Sequence, residues 1–248
     1  MTESTQQDRT DAGPTVVLVH GAFADSSSWN GVVARLLRDG HPVVAMANPL
    51  RSLSGDADLL RDLLDGLDGP IVLAGHSYGG SVMSEAAEGH PRVRALVYVA
   101  SFLLEEGEST GELAGRFPGN ELGGALRPVP VRGPGGQPVD DLYIEQERFG
   151  PVFAADVPAD AAALMAVTQR PIIGDALADK ATRAAWRSIP SWTLVTRQDL
   201  AVPAEAQRFM AERAGSHVVE VDASHAVTVS QPDVVAELIE EAVRATAS

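Results

Sequence analysis

The fold of this chain is decided by the stretch IVLAGHSYGG at residues 71–80. Residues 71–74 are apolar and begin with two β-branched side chains, which predicts a short buried strand. A helical pattern follows Ser77 and continues to about Gly89, so Ser77 lies on a sharp turn between strand and helix. The glycines at positions 75, 79 and 80 leave room for such a turn and for close packing of helix on strand. The stretch therefore predicts a reactive serine at the carboxyl end of a buried strand.

Short apolar runs alternate with helical patterns on both sides of this stretch. Further strands are predicted at 15–19, 42–46, 93–100, 192–196 and 217–221. Amphipathic helices are predicted between them, and a last helix near the end of the chain. Strands that alternate with helices through short connections form a mostly parallel sheet with helices on both faces. We therefore expect an α/β fold.

Residues 104–188 interrupt this alternation. Thirteen of the 30 residues at 111–140 are glycine or proline, which predicts a long irregular loop. Alanine-rich helical pieces are predicted around 159–167 and 175–186. We expect a core of residues 15–103 and 189–248, an inserted lid at 104–188 over the carboxyl edge of the sheet, and a flexible tail at 1–14. Alternatively, the insert is a surface segment that is unrelated to any site.

The composition argues against several classes of function. The net charge of −15 and the scattered 19 basic residues disfavour nucleic acid as a partner. The absence of cysteine excludes thiol catalysis and thiolate metal sites. The longest apolar runs have the length of buried strands rather than of membrane spans, and the amino terminus lacks the apolar segment of a signal peptide. We expect a cytoplasmic protein that uses no cofactor and acts on a small molecule.

Ser77 needs a general base, and two residues of the carboxyl-terminal half can complete a catalytic triad. Asp199 follows the predicted strand at 192–196, and His225 follows the one at 217–221. The order Ser, acid, His beyond the ends of strands is typical of hydrolases with this strand–turn–helix motif. In this hypothesis His225 takes the Ser77 proton and returns it to the leaving group, while Asp199 orients the imidazole. The alternatives for the acid are Asp222, Glu105 and Glu106.

Two backbone amides are expected to stabilise the oxyanion of an acyl-transfer reaction. Tyr78, directly after the serine, supplies one. The loop after the first strand supplies the other, from Ala22 or alternatively from Phe23. His76, inside the turn, is expected to support it, while His90 lies beside a proline and is expected to be solvated.

Five motifs carry a family resemblance. They are LVHGAF at 18–23, Trp29, GHSYGG at 75–80, LVYVASF at 96–102 and DASH at 222–225. In these residues the chain resembles the α/β-hydrolase superfamily, and within it the small esterases that include plant salicylate methyl esterases and hydroxynitrile lyases. The resemblance implies an α/β-hydrolase fold, a triad and a lidded apolar pocket. Cyanogenic members carry a lysine after the catalytic histidine and a threonine in the first loop. Ala226 and Gly21 stand there instead, which implies an esterase rather than a lyase.

Pocket residues are predicted from position alone. Phe23, Tyr78 and Phe102 follow strand ends and are expected to line the pocket. The candidates from the lid are Leu142, Tyr143, Phe149, Phe153, Met165 and Trp186. Together these features predict a serine hydrolase that cleaves a small apolar carboxylic ester or lactone through an acyl-enzyme. The same triad also serves acyltransferases, thioesterases and cofactor-free perhydrolases, and some members of the fold are small-molecule receptors.

Overall fold

Nine strands form two sheets in the computed structural model, which describes residues 13–246. The strands are β1 (Thr15–Val19), β2 (Val43–Met46), β3 (Ile71–His76), β4 (Val93–Val99), β5 (Leu126–Arg132), β6 (Pro138–Ile144), β7 (Ile172–Ile173), β8 (Ser191–Thr196) and β9 (His217–Val221). The larger sheet has the order β2-β1-β3-β4-β8-β9, with every neighbouring pair parallel. The predicted α/β fold is confirmed. Most of the predicted tail at 1–14 lies outside the described residues.

Ten α-helices accompany these strands in the described part of the chain. They are α1 (Asn30–Arg38), α2 (Leu53–Asp65), α3 (Tyr78–Ala87), α4 (Thr110–Arg116), α5 (Gln146–Phe153), α6 (Ala159–Thr168), α7 (Gly174–Ala178), α8 (Ala204–Ala214), α9 (Val227–Ser230) and α10 (Pro232–Thr246). No helix within residues 13–246 is both long enough and apolar enough to span a bilayer.

Helices cover both faces of the large sheet because adjacent strand residues point to opposite faces. On one face, Leu73 packs in a core that contains Leu60 of α2. On the other face, its neighbour Val72 packs with Leu36 of α1 and Ile239 of α10. The central strands β1, β3 and β4 are almost fully buried. Their carboxyl ends therefore form a rigid edge from which loops can present a site.

The segment predicted as an irregular loop at 111–140 is instead largely ordered, and that prediction was wrong. It contains α4, β5 and the start of β6, and β5 pairs antiparallel with β6. Pro128 and Pro130 lie in β5, which is the edge strand of the smaller sheet β5-β6-β7. An edge strand tolerates proline because alternate residues direct their backbone away from the partner strand. Gly135 and Gly136, both with positive φ, close the hairpin.

The small sheet and its helices are tied to the large sheet by polar contacts. Arg51, in the loop after β2, donates to Asp141 of β6 over 2.6 Å and to the Pro171 carbonyl over 2.7 Å. At the other side, the Ala226 amide donates to the Phe153 carbonyl over 2.9 Å. Residues of the insert thus reach the loop that carries His225.

Candidate active site

Ser77 occupies a strained turn between β3 and α3. Its φ and ψ are 53° and −127°, a region that costs a non-glycine residue about 1–3 kcal/mol. The neighbouring strand holds this conformation in place. The Ser77 amide donates to the Val99 carbonyl over 3.2 Å, and the Ser77 carbonyl accepts from the Ser101 hydroxyl over 2.6 Å. The strain directs the serine side chain away from the sheet at a helix amino terminus.

Two glycines permit the close approach of the surrounding backbone. A Cβ at Gly79 would collide with the carbonyl of Val19 at the end of β1. A Cβ at Gly21 would lie 2.7 Å from the Cβ of Ser77. The loop after β1 and the first turn of α3 therefore pack directly on one another beside Ser77.

Asp199 and His225 form a buried pair at the carboxyl ends of β8 and β9. The Nδ1 of His225 lies 2.7 Å from the Asp199 Oδ2, and both side chains are almost completely buried. The carboxylate accepts four further hydrogen bonds, from the amides of Ala201 and Val202, the Thr196 hydroxyl and the Gln207 amide. A carboxylate with all these donors is held in one orientation, and it holds the imidazole in one tautomer.

The structure does not pair the three alternative acids with His225. Asp222 binds Arg197 at the surface over 2.7 Å. Glu105 binds Arg187, and Glu106 is exposed in the same loop. Only Asp199 among the four candidates contacts the imidazole within residues 13–246.

Ser77 and His225 are not hydrogen-bonded to each other in the described part of the chain. Neither the Ser77 hydroxyl nor the Nε2 of His225 has a hydrogen-bond partner within residues 13–246. Catalytic hydrogen bonds are often long in unliganded enzymes and shorten when substrate binds. The Ser77 hydroxyl and the His225 Nε2 can therefore both form hydrogen bonds with a substrate.

His76 holds the backbone of His225. Its Nε2 lies 2.8 Å from the His225 carbonyl. Because a carbonyl only accepts, this nitrogen carries the proton and donates. The rings lie 4.7 Å apart between centroids. Burial, and then the neighbouring His225, lowers the pKa of His76 to about 3, so it is neutral at working pH. The sequence predicts that His76 supports its own turn. In the structure its side chain contacts the loop that carries His225 instead.

A second histidine orients the first loop. The backbone amide of Asn48 donates to His20 Nε2 over 2.9 Å. The ring proton therefore lies on Nδ1, which donates to the Gly21 carbonyl over 2.9 Å. The C=O and N–H of a trans peptide point in opposite directions. Anchoring the Gly21 carbonyl therefore directs the Ala22 amide away from the His20 ring. Burial lowers the pKa of His20, which keeps this arrangement neutral.

The backbone hydrogen bonds distinguish Ala22 from Phe23 as the candidate oxyanion donor of the first loop. The Phe23 amide already donates to the Arg170 carbonyl over 3.0 Å. The amides of Ala22 and Tyr78 have no acceptor among residues 13–246. Both residues line the same cavity as Ser77. Ala22 and Tyr78 are therefore the amides available to a reacting oxygen.

Ser77 opens into a small apolar cavity of about 50 Å³. Of the predicted pocket residues, the structure brings together Phe23, Tyr78, Phe102 and Phe153 around it. Residues of the insert that the sequence did not single out complete the wall, including Thr110, Gly111 and Ala114 of α4 and Leu177 of α7. None of the described side chains that line it is charged.

Two predicted pocket residues lie elsewhere. Tyr143 is on β6 and lines a surface groove with Arg127. Trp186 is packed at the end of the insert, where its indole N–H donates to the Leu104 carbonyl over 2.8 Å. The remaining lid candidates also do not line the cavity: Leu142, Phe149 and Met165. An aromatic residue of an insert can pack in the core of the insert as readily as it can line the pocket.

The role of His20 and Asn48 was not predicted from the sequence. Asn48 lies two residues after β2, at the same edge of the sheet as the other site residues. That position was the available signal, because polar residues after parallel strands gather at one edge. His90, predicted to be solvated, is buried against Asp65, which its Nε2 approaches to 3.3 Å. No group of three or more potential metal ligands occurs within residues 13–246.

Comparison with known proteins identifies the family of this chain. The model of the alpha/beta hydrolase family matches residues 16–238, and the chain belongs to that family. An alpha/beta hydrolase of Aspergillus novofumigatus is 29% identical over 92% of this chain and 96% of its own length. A putative chloroplastic methylesterase of Arabidopsis thaliana is 26% identical over 92% of this chain and 63% of its own length. The solved structure of polyneuridine aldehyde esterase superposes with a TM-score of 0.79 at 19% identity, covering 92% of this chain and 98% of that one.

These findings confirm the predicted fold and the resemblance to small esterases. The chain is accordingly an enzyme of the hydrolase class.

Proposed function

We propose that this enzyme hydrolyses carboxylic esters through a Ser77 acyl-enzyme. The observation that carries the proposal is the buried hydrogen bond between His225 and Asp199 at the edge where Ser77 is presented. The pair supplies a base with one fixed tautomer, and the strained turn supplies a nucleophile at a helix amino terminus. The esterase names of the methylesterase and polyneuridine aldehyde esterase relatives support the same chemistry.

In the proposed mechanism, Ser77 attacks the ester carbonyl while His225 Nε2 accepts its proton. The oxyanion accepts hydrogen bonds from the amides of Ala22 and Tyr78. Each such donor lowers the barrier by about 3 kcal/mol. His225 then protonates the leaving alcohol, and water attacks the acyl-enzyme by the reverse sequence. Asp199 accepts the Nδ1 hydrogen bond throughout and stabilises the imidazolium.

The insert at 104–188 is proposed to act as the lid of this site. Phe153, at the end of α5, places its ring 4.8 Å from the His225 ring, and the Phe153 carbonyl accepts a hydrogen bond from the Ala226 amide. Residues of α4 and α7 wall the cavity on the other side. A lid with these contacts admits small molecules, and the uncharged lining favours an apolar acyl group.

The test compares the wild type with Ser77→Ala on p-nitrophenyl acetate and butyrate. We expect a loss on the order of 10³-fold or more in kcat/KM for the variant, because only binding and oxyanion contacts remain. A fluorophosphonate probe should label the wild type at Ser77, as located by peptide mass spectrometry. Ser84→Ala is the matched control, because Ser84 lies on the same helix and binds the Tyr98 hydroxyl.

Turnover and labelling in Ser77→Ala equal to the wild type would refute the proposed nucleophile. A folded wild type that neither turns over esters nor reacts with the probe would refute the esterase proposal. Two further assays test the alternatives: a thioester offered as acyl donor tests thioesterase activity, and hydrogen peroxide offered as acyl acceptor tests perhydrolase activity.

A further inference from the structure

A short segment of the insert, residues 153–156, contacts the loop that carries His225. That loop, residues 222–226, joins β9 to α9 and belongs to neither, so its backbone is fixed largely by contacts from outside the loop. The segment supplies three such contacts. They fall on three consecutive residues, the Ser224 hydroxyl, the His225 ring and the Ala226 amide. The insert therefore holds the proposed base and both of its neighbours in the chain.

The contact with Ser224 comes from Asp156. A turn after α5, closed by a hydrogen bond from the Val157 amide to the Ala154 carbonyl over 3.1 Å, presents this residue at the surface. The Asp156 Oδ1 accepts a hydrogen bond from the Ser224 hydroxyl. Ser224 is itself buried, and a hydroxyl binds a carboxylate more strongly than it binds a neutral acceptor. Asp156 thus fixes a buried side chain directly before His225.

The structure offers Ser224 no equivalent second acceptor within residues 13–246. Its hydroxyl lies 3.4 Å from the Phe153 carbonyl, and the Ala226 amide already donates to that carbonyl over 2.9 Å. A hydroxyl carries one proton, and a contact of 3.4 Å is long for a hydrogen bond between oxygens. Without the Asp156 carboxylate, Ser224 would retain only this weaker contact.

The other supports of His225 do not replace the contact with Asp156. Asp199 fixes the imidazole tautomer, and His76 binds the His225 carbonyl. Neither forms a hydrogen bond with Ser224 or Ala226 in the described part of the chain. A shift of the backbone at Ser224 would therefore displace the imidazole. Such a displacement matters, because a misplacement of about 1 Å at a reacting group can cost about a hundredfold in rate.

We propose, on the basis of the esterase function above, that Asp156 is a positioning residue for His225. Its carboxylate fixes Ser224, and the Phe153 carbonyl fixes Ala226. The base of the reaction is then placed jointly by the large sheet, through Asp199 and His76, and by the insert.

The test measures kcat and KM for p-nitrophenyl butyrate in Asp156→Ala, Ser224→Ala and the double variant. Each single change should lower kcat by about tenfold with KM nearly unchanged, because His225 acts in both acylation and deacylation. The double variant should be no slower than either single one, since all three lack the same hydrogen bond. Asp156→Asn retains an oxygen that can accept from Ser224 and should recover most of the activity.

The matched control is Asp160→Ala. Asp160 is an exposed carboxylate of the same insert, and it accepts a hydrogen bond from the Ala161 amide within α6 over 2.9 Å, so kcat should be retained. The downfield NMR signal of the His225 Nδ1 proton should move in Asp156→Ala and Ser224→Ala. It should stay in place in Asp156→Asn and Asp160→Ala. A purely structural hydrogen bond would lower the melting temperature of the variants without moving this signal.

Three results would overturn the inference and leave the esterase function intact. They are an unchanged kcat in both single variants, additive losses in the double variant, and an Asp156→Asn variant as impaired as Asp156→Ala. A wild type that neither turns over esters nor becomes labelled at Ser77 would instead refute the esterase function, on which the role of His225 as base depends.

Discussion

His76 illustrates how a single hydrogen bond can position the proposed base, His225. Its Nε2 proton binds the His225 carbonyl over 2.8 Å. We predict that His76→Leu lowers kcat by about tenfold to a hundredfold, because a displacement of about 1 Å at a catalytic group has this cost, with a smaller effect on KM. His76→Gln places an amide donor at a similar distance along the side chain and should recover most of the activity. Steady-state kinetics and the rate of Ser77 labelling measure both effects.

The control for this prediction is His90→Gln. His90 is also a buried histidine, but it binds Asp65 at a distance from the site, so activity should be retained. Equal losses in His76→Gln and His76→Leu, or a loss in KM alone, would contradict the positioning role. The downfield NMR signal of the His225 Nδ1 proton should move in His76→Leu and not in His90→Gln.

The same residue makes stability depend on pH. Burial lowers the folded-state pKa of His76 from about 6.5 to about 3. Between these values the unfolded chain binds a proton that the folded chain does not, so stability falls as pH falls. The contribution of one histidine has a limiting slope of about 1.4 kcal/mol per pH unit. We predict that the free energy of unfolding of His76→Gln, measured by urea denaturation, declines less than that of the wild type between pH 6 and pH 4. Parallel curves would exclude this effect.

At the scale of single residues, the motifs predicted where Ser77, Asp199 and His225 lie relative to the strands, and the structure has them there; their catalytic roles stay a prediction. Ser77 follows a strand and precedes a helix, and the order of Asp199 and His225 is that of the fold. The roles of His76 and Asn48 depend on which carbonyl or ring the fold brings within 3 Å. His76 and its partner are 149 positions apart, and no local pattern encodes that contact.

At the scale of the elements, α3 packs so closely on β1 that the contact leaves no room for a side chain at Gly79. A side chain at Gly79 would meet the Val19 carbonyl, which is backbone and cannot rotate away. We predict that Gly79→Ala lowers the free energy of unfolding by about 1–3 kcal/mol through overpacking and reduces Ser77 labelling. Gly124→Ala is the matched control, because a Cβ there meets nothing within 4 Å. Thermal melts of both variants distinguish local crowding from a general effect of alanine.

The large sheet could be predicted because its central strands are buried on both faces and stand out as continuous apolar runs. The insert could not. Glycine and proline at 111–140 favour irregular structure, yet β5 accommodates Pro128 and Pro130 because β6 occupies only one of its sides. Which side of a strand is free depends on the tertiary arrangement, and composition does not reveal it.

At the scale of the whole molecule, Arg51 joins the insert to the sheet. Its guanidinium binds Asp141 and the Pro171 carbonyl. We predict that Arg51→Met, which retains the apolar stem, lowers the free energy of unfolding by about 1 kcal/mol. This value is modest because the arginine side chain is 39% exposed and solvent screens the pair. Arg244→Met, whose pair with Glu240 is wider at 3.8 Å and on the surface, should have no measurable effect in the same denaturation experiment.

Trp186 lies at one boundary of the insert and is hydrogen-bonded to Leu104 at the other. Its indole is also within 5.5 Å of the Arg213 guanidinium of α8. The other two tryptophans are buried against the large sheet, Trp29 beside His76 and Trp192 stacked on His217. We therefore expect the emission of Trp186 to change if the insert shifts relative to α8. The chain thus contains an intrinsic fluorophore at the base of the insert, and stopped-flow fluorescence should report any rearrangement there on addition of an ester, without an attached dye.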